Sequence, residues 1–106
     1  MRYTWPMEGY NKLVRDRIPE ILDHKGVIYE KRIASPEEYK QELIKKLVEE
    51  VNEFTAEGDP EELADVLEVI TALRTLPEYE DVEAVRLKKL QERGGFSDKI
   101  ILKGEK

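Results

Sequence analysis

Two helix-start signals in succession constrain this chain more than anything else in it. Ser35-Pro36-Glu37-Glu38 and Asp59-Pro60-Glu61-Glu62 each place an oxygen-bearing cap, a proline at the first helical position and a glutamate three residues beyond the cap. The cap oxygen satisfies an orphan backbone N–H, and proline loses nothing at a position whose N–H would be unpaired anyway. The first signal opens a helical pattern that reaches Gly58, and the second opens one that Pro77 stops. Long helices in immediate succession commit the chain to a mainly α fold.

The remaining segments fit around that pair. A short helix is predicted from Arg17 or Pro19 to His24, closed by Gly26 in a left-handed cap. YEDVEAVRLKKLQERGG predicts a third long helix ended by Gly94 and Gly95. VIYEKRI and DKIILK are rich in β-branched residues and are expected to add a short two-stranded β element. Residues 1–9, with Trp5 and Pro6, read as an irregular arm, 10–102 as one domain, and 103–106 as a tail.

Charge then narrows the function. The 106 residues carry a net charge of -6, with 40% charged side chains, which argues against a broad nucleic-acid-binding face. No cysteine is present, so disulfides and thiolate metal sites are excluded. No apolar run has the roughly 18 to 20 residues of a membrane span, and the N-terminus lacks a signal-peptide core. A cytoplasmic location without membrane partners is the expectation.

The acidic residues are not distributed as a plain solvated face would require. Tyr39, Leu43, Leu47, Val51 and Phe54 form one apolar stripe. At about 100° per residue, Glu50 falls on the edge of that stripe, Glu53 follows one turn later, and Glu49 points further toward solvent. Lys45 and Lys46 offer Glu49 and Glu50 ordinary i,i+4 pairs. On the next helix Leu63, Val66, Leu67, Ile70 and Leu73 make the expected core stripe, while Glu62, Asp65, Val69 and Ala72 share a second face. A helix apolar on most of its circumference is expected to be buried on two sides, against its own chain and against another subunit. Asp65 would then be a carboxylate in apolar surroundings, costly unless paired or bound to a cation. Glu62 has a competing role in its capping box, and Glu68 reads as solvated.

All the candidate ligands are oxygens. His24 is the only histidine and stands in no Glu-x-x-His arrangement, and no Asp-x-Asp-x-Asp-Gly loop occurs. Carboxylates on rigid helices favour Mg²⁺, with Mn²⁺ as the alternative, and such sites complete their shell with water and substrate phosphates. Counter-charges for a polyphosphate are available in Lys12, Arg15 and Arg17, and in Arg86, Lys89 and Arg93, which share one helical face. Lys88 reads as a solubility charge.

At this point the residues resemble a known family. Glu49-Glu50-x-x-Glu53 followed by Glu62-x-x-Asp65 is similar to the metal-binding signature of the MazG-like all-α nucleoside triphosphate pyrophosphohydrolases. YNKLVRDRIPEIL, EELADVLEVI and RLKKLQERGGF look like the phosphoribosyl-ATP pyrophosphohydrolase-like branch, over roughly residues 10 to 102. Arg17 departs slightly, since that branch often carries Lys there. The resemblance implies a helical bundle completed by oligomerisation, as a homodimer or homotetramer, with Mg²⁺ held between helices. It implies cleavage between the α and β phosphates of a nucleotide, giving a monophosphate and pyrophosphate. Carried onto this chain, it makes Glu50, Glu53, Glu62 and Asp65 the metal ligands and Glu49 a further ligand or the base that orients water. Two other readings stand beside it: a helical oligomerisation module, and a nucleotide-binding module without turnover. Base selectivity stays open, with Trp5, Tyr10 and Phe96 as the aromatic candidates.

Overall fold

The computed structural model describes residues 11–105, so the expected arm over 1–9, with Trp5, and also Tyr10 lie outside the described residues. Four α-helices follow in order: α1 (Ile18–His24), α2 (Pro36–Glu57), α3 (Pro60–Leu73) and α4 (Val82–Arg93), with a single 3₁₀ turn at Pro77–Tyr79 before α4. The chain divides into two compact units, Met1–Leu73 and Arg74–Lys106. No helix among the described residues is long and apolar enough to cross a membrane.

The helix ends follow local chemistry. Ser35 Oγ accepts from the Glu38 backbone N–H at 3.2 Å, and Asp59 Oδ1 accepts from that of Glu62 at 3.0 Å. Gly26 and Gly58 adopt φ of 71° and 69°, a left-handed backbone that side chains with a Cβ rarely tolerate. Beyond α1 the Gly26 N–H bonds to Asp23 O and the Val27 N–H to Leu22 O, the paired bonds of a Schellman stop. α3 and α4 are both shorter than their sequence patterns: α3 ends at Leu73, well before Pro77, and α4 begins only at Val82.

Gly58 and Asp59 form so short a connection that α2 and α3, which pack against each other, make an antiparallel hairpin. Leu43 is buried on α2, with Tyr39, Leu47 and Phe54 half-buried along the same face. Glu50 completes that face at 9% exposure, whereas Val51, expected in the stripe, is exposed. The correction is larger on α3. Its packed side carries Glu62, Asp65, Val66, Val69, Ala72 and Leu73, and the expected core residues Leu63, Leu67 and Ile70 are exposed. Periodicity identified both apolar faces, but it could not say which one the chain itself would cover.

The expected two-stranded β addition is absent: no strand occurs among the described residues. Residues 27–33 are instead stapled to the helices on either side. The Tyr29 hydroxyl donates to Asp23 Oδ1 at 2.7 Å and lies 3.2 Å from Pro19 O. Arg32 forks onto the Glu38 carboxylate at 2.5 and 2.6 Å. Ile28 and Ile33 are almost fully exposed, as are Ile101 and Leu102 in the second segment. β-Propensity expresses packing on a pleated, half-covered surface, and neither segment has one.

In the second unit, Leu76 is buried, and Glu83 at the start of α4 accepts from both Arg74 and Arg86. Phe96 is 97% exposed.

Candidate metal centre

The α2–α3 hairpin carries carboxylates on the facing sides of both helices. Glu50, Glu62 and Asp65 each offer an oxygen, and these oxygens all lie within 4.8 Å of one another. Glu50 is brought there by the same face of α2 that buries Leu43 and half-buries Leu47 and Phe54. Glu62 and Asp65 are one turn apart on α3, on the face that also carries Val66 and Val69.

Crowding and burial set the electrostatics. Burial pushes the Glu50 carboxyl above its ordinary value, and the charges of Asp65, Glu53 and Glu49 add to the rise against the opposing pull of Lys46. Glu62 is raised as well, by burial first and then by Glu53, Asp59, Asp65 and Glu50. Its Oε2 is buried without a hydrogen-bond partner. A buried carboxylate oxygen left unsatisfied among like charges is costly, and a cation would repair it.

Of the basic residues in the N-terminal stretch, Arg15 reaches this cluster and Lys12 reaches the neighbouring Glu49. Arg15 donates to Asp65 Oδ1 at 2.7 Å, and Lys12 to Glu49 Oε2 at 3.0 Å. Asp65 is therefore half-exposed beside a guanidinium, not isolated in apolar surroundings. Lys46 Nζ stands 3.8 Å from Glu49 and 3.7 Å from Glu50. Lys12 and Lys46 hold the Glu49 carboxyl below the usual range.

No protein-family model, curated protein or solved structure matches the chain.

The structure thus brings Glu50, Glu62 and Asp65 together and sets Lys12 and Arg15 against the acidic residues. Glu53 is exposed and is not among the three clustered oxygens, although its charge acts on both Glu50 and Glu62. Glu49 is bound to lysines outside the trio, and Lys45 pairs with Glu42 instead of with Glu49. Arg17 is the exposed residue preceding α1, its carbonyl accepting from the Ile21 N–H. Arg86 is held by Glu83 through two bonds of 2.8 Å in the second unit, where Lys89 and Arg93 are exposed on the same helix. Lys46 was legible in the sequence only as an ordinary i,i+4 partner of Glu50, and its approach to two carboxylates at once gives it a larger part.

The donor set suits a hard divalent cation. Its three carboxylate oxygens come from two helices, Glu62 also carries a buried oxygen without a hydrogen-bond partner, and carboxylate oxygens are the donors that hard cations take. Glu50, Glu62 and Asp65 are the residues that would hold it.

Proposed function

We propose that this chain is a Mg²⁺-dependent nucleotide pyrophosphohydrolase of the MazG-like kind, cleaving a nucleoside triphosphate or related phosphorylated nucleotide between its α and β phosphates. A role in clearing the nucleotide pool fits that activity. The observation that carries the reading is the buried, unsatisfied Oε2 of Glu62 within a cluster of three carboxylates contributed by both helices of the hairpin.

A bound Mg²⁺ would supply positive charge for phosphate oxygens and would lower the pKa of a water. The chain's own residues divide the remaining work. Glu50, Glu62 and Asp65 would hold the cation, with Glu53 one turn beyond Glu50 contributing charge. Lys12 and Arg15 lie beside the carboxylates and would meet the polyphosphate, neutralising charge that accumulates as the anhydride breaks. Glu49 stays ionised through its lysine contacts. A carboxylate of depressed pKa is a weak base and a good hydrogen-bond acceptor, so its role narrows to orienting the attacking water.

Assembly belongs to the same proposal. α3 leaves Leu63, Leu67 and Ile70 exposed at i, i+4 and i+7, and α2 leaves Ile44, Val48 and Val51 exposed at the same spacing. Exposed apolar rows on both helices of the pair suit a second copy of the hairpin, as a homodimer or homotetramer.

One specific observation favours a rival reading without catalysis. Arg15 and Lys12 already neutralise part of the acidic face, as they would in an ordinary surface network of a helical interaction or nucleotide-binding module. Phosphorus NMR of the protein with a mixed nucleoside triphosphate pool decides between them. Monophosphate and pyrophosphate formed with Mg²⁺ and not with EDTA is the expected result. No turnover of canonical, modified or phosphoribosylated nucleotides would leave the binding module as the better account.

A further inference from the structure

Lys12 and Arg15 precede α1, yet they end on two different helices. Lys12 reaches Glu49 on α2 across 37 positions of sequence, and Arg15 reaches Asp65 on α3 across 50. Arg15 stands in direct contact with one of the three clustered carboxylates, its guanidinium 2.7 Å from Asp65 Oδ1.

A guanidinium and a divalent cation ask the same carboxylate for the same lone pairs, and each repels the other. We propose that Arg15 is an internal competitor of the divalent cation: it holds Asp65 in the metal-free protein and exchanges that carboxylate for a phosphate oxygen of the nucleotide. The inference rests on the pyrophosphohydrolase reading and assigns to one of its residues a regulatory role that the reading does not contain.

Two features make the exchange feasible. The Arg15 side chain is half-exposed, so it can swing without disturbing the packed hairpin. A solvated ion pair is weakly held, so a polyphosphate with several anionic oxygens competes for the guanidinium on favourable terms. Linkage then fixes the consequence. Whatever draws Arg15 from Asp65 raises cation affinity, and the cation raises affinity for the polyphosphate by the same factor. The cation alone binds weakly, while cation and nucleotide bind together.

The test is a Mn²⁺ titration of the full chain, followed by electron paramagnetic resonance without nucleotide, for wild type, Arg15→Gln, Arg15→Lys and Asp65→Asn. Circular dichroism checks that each variant keeps its helices. Arg15→Gln is expected to bind Mn²⁺ roughly three- to tenfold more tightly than wild type. Arg15→Lys, which retains the charge, stays near wild type, and Asp65→Asn binds weakly. A non-hydrolysable triphosphate tightens Mn²⁺ binding to wild type more than to Arg15→Gln. Equal or weaker Mn²⁺ binding by Arg15→Gln would overturn this inference and leave the pyrophosphohydrolase reading standing. Absence of Mn²⁺ binding in both wild type and Arg15→Gln overturns the two together.

Discussion

Glu50 on α2 and Glu62 on α3 bring carboxylate oxygens within 4.8 Å of each other, and the Oε2 of Glu62 is buried with no hydrogen-bond partner. Two anionic side chains facing each other across a helix contact weaken the contact they share. The arrangement stands where α2 packs on α3, and a bound cation would offset its repulsion.

The first prediction follows from that relationship. Glu62→Gln removes one negative charge and gives the cluster an amide donor for the remaining carboxylates. The metal-free variant is expected to melt a few degrees above wild type, while Mg²⁺ is expected to raise the melting temperature of wild type and not that of the variant. Thermal unfolding with EDTA and with Mg²⁺ measures both effects, and a variant less stable than wild type in EDTA would show that the Glu50–Glu62 approach is not repulsive.

Asp65 carries the sharpest catalytic prediction. Asp65→Asn loses a ligand charge and the Arg15 pair, and turnover is expected to fall by at least about a hundredfold, because a metal ligand acts on every charged species in the reaction. Helicity should be unchanged, since the side chain is half-exposed and the substitution nearly isosteric. Activity equal to wild type would remove the metal centre from the mechanism.

The pH dependence has a defined sign. Glu50 lies above its ordinary value of 4.5, facing Lys46, Asp65, Glu53 and Glu49. A carboxyl raised by folding contributes stability that is present below 4.5 and lost as pH rises through its folded-state value. In EDTA, wild type should therefore lose stability relative to Glu50→Gln as pH rises above that range. Glu83 behaves oppositely: its Arg86 and Arg74 partners lower it to about 2, so its contribution is present above 4.5 and fades as pH falls toward 2. Urea unfolding of the two variants, Glu50→Gln and Glu83→Gln, across pH 3 to 8 separates the trends.

The apolar rows give a prediction about assembly. Leu67 is 55% exposed between Leu63 and Ile70. Leu67→Lys is expected to shift the protein to a monomer in light scattering, with the far-ultraviolet dichroism of the helices retained. An unchanged mass would place any subunit contact elsewhere.

Helix capping offers a test independent of function. Ser35→Ala removes the acceptor of the Glu38 N–H and is expected to cost about 1 kcal/mol in urea unfolding. Ser35→Asp should restore most of it.

What the amino-acid sequence determined by itself was the helices and many of their ends. Ser35, Asp59, Gly26 and Gly58 act through bonds to residues three to five positions away, so their effect is complete before any tertiary contact forms. The stripe-edge position of Glu50 and the shared face of Glu62 and Asp65 were legible for the same reason, because helical geometry places them once the helix exists. Tertiary structure decided the rest. Which apolar face of α3 meets α2 depends on how the two surfaces fit, and Val66 and Val69 were chosen over Leu63 and Leu67. The β-rich stretch over residues 27–33 became a stapled connection, since a strand requires a partner that a local pattern cannot supply. The Arg15–Asp65 contact was equally invisible, because 50 positions separate the two residues and only the folded chain brings guanidinium and carboxylate together.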